Sequence, residues 1–179
     1  MVILVDQDGP LTNETKRLFE VFRERFPEEA KRHSGERNHF ELIHNFSPHL
    51  GEVIEEIRRS KGFYLSFPPV EKGLTALKEM LELGHEVFIC TAPLSFYTYC
   101  VPEKFEWVER YLGKDFIHRL IITKDKTVAK GDVLIDDKPE IYGRLKPVWE
   151  HIIYDAPYNK GVNNKKRLNW DNWKEVLNI

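Results

Sequence analysis

The chain has little cysteine, no long apolar run and no excess of one charge. Among its 179 residues only Cys90 and Cys100 are cysteines, too few for a disulfide framework, so we expect free thiols in a reducing compartment. No apolar stretch approaches the ~20 residues that span a bilayer. The 27 basic and 29 acidic side chains nearly cancel, which gives the chain no electrostatic reason to bind a nucleic acid polymer or a membrane.

The beginning and the length of the chain suggest a single compact unit. Met1 is followed at once by an apolar run that we interpret as a core strand, which leaves no room for a signal or transit peptide. A length of 179 residues suits one domain with a sizeable insertion. We therefore expect a globular, cytoplasmic protein.

Five apolar runs of three or four residues stand out, and a polar residue follows each of them. They are rich in β-branched residues and do not alternate with polar ones, which is typical of strands buried on both faces. The runs are Val2–Val5, Val87–Cys90, Leu120–Ile122, Val133–Ile135 and Ile152–Tyr154.

Helical patterns separate these runs. Apolar residues at helical spacing predict one buried face at Val70, Leu74, Leu77 and Leu81, with Gly84 as a stop signal, and another at Phe105, Val108 and Leu112. A closing helix is predicted over 170–177. The alternation of strands with helices predicts an α/β fold with a doubly wound parallel sheet.

One segment interrupts the alternation. Residues 12–67 contain no convincing strand, but they carry helical faces and end at the pair Pro68-Pro69. We therefore predict a catalytic core formed by residues 1–13 and 69–179, with a small helical cap over residues 14–68. Such a cap would lie above the carboxyl edge of the sheet.

Polar residues follow the predicted strands at the edge where parallel sheets bind ligands. They include four carboxylates, a hydroxyl and an ammonium: Asp6, Asp8, Thr91, Lys126, Asp136 and Asp137. Carboxylates this close together repel one another unless a cation neutralises them, and hard oxygen ligands favour Mg²⁺. Magnesium beside a lysine is suited to binding a phosphoryl group.

The order of these residues is more informative than any one motif, because an Asp-x-Asp pair alone is a weak signal and is more often a capped strand end with solvated acids. Asp6-Gln7-Asp8-Gly9, then Thr91, Lys126 and Asp136-Asp137, resembles the four motifs of the haloacid dehalogenase superfamily. Longer stretches resemble the 5′(3′)-deoxyribonucleotidases within it, notably 5–11, 88–93, 103–113, 123–128, 134–139, 149–151 and 167–170.

The resemblance implies a Mg²⁺-dependent phosphatase that acts on (deoxy)nucleoside monophosphates. Asp6 would be the nucleophile and would form an aspartyl-phosphate, and Asp8 would be the general acid and then the base. Mg²⁺ would be held by Asp6, by the backbone carbonyl of Asp8 and by Asp137, with Asp136 supporting them from behind. Phosphate oxygens would be bound at Gly9, Thr91, Ala92 and Lys126.

The resemblance also assigns nucleoside contacts to the cap, at Phe40, Phe63 and Tyr64. Three positions depart from the family pattern: Glu14 and Glu41 stand where aromatic residues are usual, and Ala92 replaces a serine. An acid in a pocket for an anionic substrate is unexpected. These departures leave base and sugar preference open.

Other functions are compatible with the same residues. A phosphatase for another small phosphorylated metabolite is favoured by Glu14 and Ala92. A receiver-like signalling domain also clusters acids, Thr and Lys at strand ends, although receivers are shorter and lack a long insertion, and a non-catalytic phosphate-binding module is a further alternative. The partner expected in each enzymatic case is a small phosphomonoester, and a homodimer is left open because related enzymes are often dimers.

Overall fold

A computed structural model describes residues 1–95 and 97–179. Its centre is a parallel six-stranded sheet with the strand order β3-β2-β1-β4-β5-β6, which confirms the predicted α/β fold. The strands are β1 (Val2–Val5), β2 (Glu86–Thr91), β3 (Leu120–Ile122), β4 (Val133–Asp136), β5 (Glu150–Tyr154) and β6 (Arg167–Leu168).

Strand β1 lies in the middle of the sheet because its side chains are apolar on both faces. Ile3, Leu4 and Val5 are fully buried. Val5 pairs with Ile89 of β2 on one side and with Ile135 of β4 on the other. This register brings the carboxyl ends of the three strands to one edge of the sheet, where the polar residues begin.

The helices flank the sheet and fill the segment after β1. Leu74 and Leu77 are buried as predicted, and Val70 caps the amino end of their helix. The helices are α1 (Glu14–Arg25), α2 (Pro27–Ala30), α3 (Gly51–Arg58), α4 (Glu71–Glu82), α5 (Cys100–Leu112), α6 (Lys114–Ile117) and α7 (Trp173–Leu177). Short 3₁₀ turns occur at Leu42–Asn45, Pro48–Leu50, Tyr64–Ser66, Lys126–Val128 and Pro157–Asn159.

The sequence interpretation of α5 was partly wrong. Val108 and Leu112 are buried, but Phe105 is 42% exposed. The buried stripe also includes Lys104 and Trp107, each one residue before a position that the apolar spacing selected. The stripe was missed because a lysine does not count as an apolar residue.

The carboxyl-terminal region also differs from expectation. The closing helix begins at Trp173, because Trp170 lies in a turn where its indole Nε1 donates a hydrogen bond to the Pro10 carbonyl at 2.7 Å. Arg167 opens β6 and donates a hydrogen bond to Asp155 at 2.8 Å. A strand of two residues carries too short a pattern to be predicted.

The segment between β1 and α4 is helical throughout its regular parts. Leu18 and Phe22 of α1 are buried with Ile54 and Ile57 of α3, and all four belong to the same continuous apolar core as the sheet. No helix within residues 1–95 and 97–179 combines the length and the apolarity that crossing a membrane requires.

Candidate active site

The site begins where β1 ends. The Asp6 amide continues the sheet by donating to the Ile135 carbonyl at 2.9 Å, and the next residues form a tight turn closed by Leu11 and Thr12 amides on the Gln7 carbonyl. Gly9 adopts a positive φ of 95°, and a Cβ at this position would collide with the carboxylate of Asp137. Only glycine therefore lets the turn pass so close to the end of β4.

Three buried carboxylates meet beside this turn. Asp6, Asp136 and Asp137 each place one oxygen within 4.8 Å of the others. The Lys126 ammonium lies 2.8 Å from Asp6 Oδ1 and 2.6 Å from Asp136 Oδ2. A 3₁₀ turn capped by the Asp125 side chain, which accepts from the Thr127 amide at 2.9 Å, holds Lys126 in this place.

The hydrogen bonds separate the roles of the three acids. Both oxygens of Asp136 are committed, one to Lys126 and the other to the Lys138 amide at 2.9 Å. Asp137 Oδ2 accepts the Tyr158 hydroxyl. Within the described residues, Asp6 Oδ2 and Asp137 Oδ1 accept no hydrogen bond. Two uncommitted carboxylate oxygens fit a hard divalent cation.

Burial shifts the pKa of two acids in this cluster. It raises the pKa of Asp6 to about 7, an effect that Lys126 opposes and the Asp136 charge increases. Burial, followed by the charges of Asp136 and Asp6, raises the pKa of Asp137 well above its usual range. A bound cation would reverse both shifts by favouring the ionised carboxylates.

A buried lysine that the sequence interpretation missed contacts two of the site residues. Lys104 of α5 is only 1% exposed, and its ammonium lies 2.5 Å from Asp8 Oδ2. The same nitrogen donates to Thr91 Oγ1 at 3.0 Å. The sequence did indicate that Lys104 could be buried, because it lies one turn from Cys100 and from Trp107 on the same face of its helix.

A cavity of about 200 Å³ opens above these groups. Asp6, Asp8 and Ala92 lie at its inner end, and Phe40 and Tyr64 lie on its walls. Phe63 lies elsewhere: it is 3% exposed, and its ring packs edge-on against Tyr64 and Phe67. The structure thus brings together the predicted site residues from the strand ends, but only two of the three predicted aromatics line the cavity.

The outer wall of the cavity is ionic. Glu14, the first residue of α1, lies with Oε2 3.6 Å from Arg37 Nη1 and with Oε1 3.6 Å from Arg58 Nε. The positive charges of these two guanidinium groups offset the negative charge of Glu14, which explains how an acid can stand at this unexpected position. Glu41 also lines the cavity but is exposed.

Two further residues link the wall to the carboxylates. The guanidinium of Arg37 lies 4.2 Å from the centre of the Tyr158 ring, and Tyr158 donates to Asp137. Burial and then the Asp137 charge hold the pKa of Tyr158 above its usual value, so the hydroxyl remains a donor. Arg37 is far from any strand end, and Tyr158 lies four residues after the end of β5, but no local pattern pointed to either residue.

Comparisons with known proteins agree on one group. The family model described as 5′ nucleotidase, deoxy (pyrimidine), cytosolic type C protein matches residues 1–179. A protein of Bordetella pertussis is 44% identical over 177 residues, which cover 99% of this chain and 95% of the relative. The human 5′(3′)-deoxyribonucleotidase, cytosolic type, is 40% identical over 185 residues, covering 98% of this chain and 92% of the relative.

Solved structures show the same fold at low identity. A HAD family hydrolase from Deinococcus radiodurans R1, with bound phosphate and sodium, superposes with a TM-score of 0.58 at 14% identity and covers 98% of this chain and 94% of its own. At that identity the likeness shows the fold alone. It is the fold that the motif order at the strand ends implied.

Proposed function

The chain belongs to the family of 5′ nucleotidase, deoxy (pyrimidine), cytosolic type C proteins, and from this premise we propose that it hydrolyses (deoxy)nucleoside monophosphates to nucleosides and phosphate. The observation that carries the proposal is the contrast between two carboxyls of one turn. Asp6 is buried against Lys126, whereas the Asp8 side chain is 24% exposed at the inner end of the cavity. Two carboxyls in such different surroundings suit a nucleophile beside an acid–base group.

Asp6 is the proposed nucleophile. Its carboxylate attacks phosphorus and the ester bond to the nucleoside oxygen breaks, which leaves a phosphoryl group on Asp6. The Lys126 ammonium lies within 2.8 Å of Asp6 and counters the negative charge that builds up on the transferring group. Water then attacks the aspartyl-phosphate and regenerates the carboxylate.

Asp8 is the proposed acid and base. As an acid it gives its proton to the leaving nucleoside oxygen, and as a base it then takes a proton from the attacking water. Its two oxygens are positioned by different donors, Oδ2 by Lys104 and Oδ1 by the Thr12 hydroxyl at 3.3 Å. These contacts hold the Asp8 carboxyl in place at the cavity.

The donor set fits Mg²⁺, and the proposed ligands are Asp6, the Asp8 carbonyl and Asp137. Asp136 is proposed to support them from behind, because one of its oxygens is already paired with Lys126. Bound Mg²⁺ would supply positive charge beside the phosphoryl oxygens. Gly9, Thr91, Ala92 and Lys126 are the proposed ligands of these oxygens.

Residues 14–68 are the proposed cap, and Phe40 and Tyr64 are its proposed nucleoside contacts. Both rings line the cavity, and an aromatic ring stacked on a base stabilises binding by about 1–3 kcal/mol. Closure of the cap over the substrate would exclude water from the phosphoryl transfer.

A second candidate is a phosphatase for another small phosphorylated metabolite. The ionic wall of Glu14, Arg37 and Arg58 favours it, because charged side chains also bind polar non-nucleotide groups.

Phosphate release from matched nucleoside, deoxynucleoside and sugar monophosphates, with Mg²⁺ and with EDTA, tests both candidates. We expect Mg²⁺-dependent release concentrated on nucleotides. Release from sugar phosphates alone would mean that the substrate is not a nucleotide, and the proposed phosphatase chemistry would still stand. No release from any ester would contradict the proposed function itself.

A further inference from the structure

Glu103 is a buried carboxylate that the proposed chemistry does not use. It lies in α5 immediately before Lys104 and is only 6% exposed. In the part of the chain that the structure describes, its hydrogen-bond donors are neutral groups. A carboxylate is costly to bury unless several donors satisfy it. The identity of these donors therefore shows which part of the molecule Glu103 holds.

Three donors converge on this carboxylate, and two of them are backbone amides of one short segment. Oε1 accepts from the Gly62 amide at 2.6 Å, and Oε2 accepts from the Tyr64 amide at 3.0 Å. The Tyr97 hydroxyl lies 3.0 Å from Oε1 and 2.8 Å from the Ser60 carbonyl. Glu103 thus fixes, from the side of the core, the backbone at the end of the proposed cap.

Two further residues of α5 hold the same segment. Trp107, one turn after Glu103, donates from its indole Nε1 to the Phe67 carbonyl at 2.8 Å. The Lys104 ammonium lies 5.3 Å from the centre of the Tyr64 ring, which is within the range of a cation–π contact. Tyr64 is therefore held at its amide by Glu103 and at its ring by Lys104.

The segment requires such a restraint because its own backbone is permissive. Gly62 adopts a positive φ of 87°, and a Cβ there would meet nothing within 4 Å. Glycine enters this region freely and leaves it as freely. Two residues later, the Tyr64 ring lines the cavity that contains Asp6 and Asp8. A change of backbone direction at Gly62 would displace this ring from the wall of the cavity.

We propose that Glu103 is a positioning residue that keeps the Tyr64 ring in place for the nucleoside part of the substrate. This inference rests on the proposed function and adds a residue to its substrate binding. Adjacent residues of α5 then act on different steps. Lys104 orients Asp8 for the chemical step, and Glu103 orients Tyr64 for binding.

The test measures KM and kcat for dUMP in Glu103→Gln, in which one acceptor oxygen becomes an amide NH₂ that cannot accept a hydrogen bond. We expect KM to rise at least about fivefold, the lower range for one stack between an aromatic ring and a base. The value of kcat should change by less than about twofold, as for a loss of binding alone. A merely structural role would instead lower the fraction of active enzyme, and with it kcat.

Inorganic phosphate separates the nucleoside wall from the phosphate site. Its Ki as a competitive inhibitor of dUMP hydrolysis should be the same in Glu103→Gln as in the wild type, because the proposed phosphate ligands are unchanged. The same measurement reports whether the variant has a folded active site.

A double-mutant cycle with Tyr64→Leu shows whether Glu103 acts through Tyr64. If it does, Glu103→Gln should raise KM for dUMP no further in the Tyr64→Leu background. Glu106→Gln is the matched control, because Glu106 lies on the same helix, is 55% exposed and pairs with Arg110 at 3.1 Å. Its KM should equal that of the wild type.

Tyr97→Phe carries the test if Glu103→Gln fails to fold. It removes one of the three donors and leaves the two amides in place, so KM for dUMP should rise by a smaller factor, about threefold. The Ki of inorganic phosphate should again stay unchanged, and an unaltered KM would contradict the role of this cluster.

The outcomes separate this inference from the proposed function. An unchanged KM for dUMP in Glu103→Gln, a fall in kcat larger than the rise in KM, a parallel rise in the Ki of phosphate, or a further rise of KM in the double variant would overturn the role of Glu103 alone. Hydrolysis of sugar phosphates but of no nucleotide by the wild type would remove both.

Discussion

The Lys104 ammonium lies 2.5 Å from Asp8 Oδ2, although the two residues are 96 positions apart in the chain. Lys104 is almost fully buried, and its second partner is the Thr91 hydroxyl. One cation from helix α5 thus joins the proposed acid–base group to the end of strand β2. This arrangement fixes the direction of the Asp8 carboxyl before substrate enters.

Replacing Lys104 by Met should therefore impair the chemical step. We expect kcat to fall by about 10²-fold or more, because Asp8 loses the charge that orients it, with a smaller change in KM. Steady-state kinetics with a nucleoside monophosphate measure both. Arg110→Met on the exposed side of the same helix is the control, and an unchanged kcat in Lys104→Met would remove Lys104 from the mechanism.

Gly9→Ala should weaken cation binding more than its backbone strain explains. The new Cβ would collide with Asp137, so we expect about a tenfold rise in the Mg²⁺ concentration for half-maximal activity. Gly84 has a similar positive φ of 84°, and a Cβ there meets nothing within 4 Å, so Gly84→Ala isolates the cost of the backbone strain. Equal Mg²⁺ requirements in the two variants would show that the contact with Asp137 is unimportant.

Tyr158→Phe removes one hydrogen bond from a proposed Mg²⁺ ligand. Partners that orient metal ligands typically contribute about 10–100-fold in affinity, so Mg²⁺ titrations should show weaker binding by at least about tenfold. Tyr142→Phe, at a side chain that is 80% exposed, should titrate like the wild type. An unaltered titration for Tyr158→Phe would mean that Asp137 needs no such support.

The buried acids predict how pH and Mg²⁺ act together on stability. Asp6 has a pKa of about 7 in the folded protein against 3.8 as the ordinary value. Between these values the folded state binds more protons, so the free energy of unfolding without metal should fall as pH rises toward 7. Mg²⁺ requires ionised ligands, so it should raise the melting temperature more at about pH 8 than at about pH 5.5. Thermal melts of wild type and Asp6→Asn, with and without Mg²⁺, measure this, and an equal Mg²⁺ effect at both pH values would contradict it.

The sheet and the inner end of the site could be predicted because both depend on local patterns. The run Val2–Val5 is apolar on both faces, which only a central strand tolerates, and Asp6 follows it directly. Parallel strands then place their polar terminal residues at one edge, whatever the details of the helices.

The walls of the site could not be predicted in this way. Lys104 meets Asp8, and Tyr158 meets Asp137, through packing between segments that are far apart in sequence. The ion pairs of Glu14 depend on where two helices and a loop end. Glu14 could be noticed as an unexpected residue, but its neutralisation by two arginines required the structure.

The most direct measurement concerns Asp6 itself. The enzyme is mixed with a nucleoside monophosphate and Mg²⁺, quenched in acid within one turnover, and digested for mass spectrometry of the peptide that contains residues 1–16. The proposed mechanism predicts a phosphoryl group on Asp6 in the wild type. In Asp6→Asn it predicts neither this adduct nor phosphate release. Phosphate release by Asp6→Asn at the wild-type rate, or turnover by the wild type with no phosphorylated peptide, would contradict it.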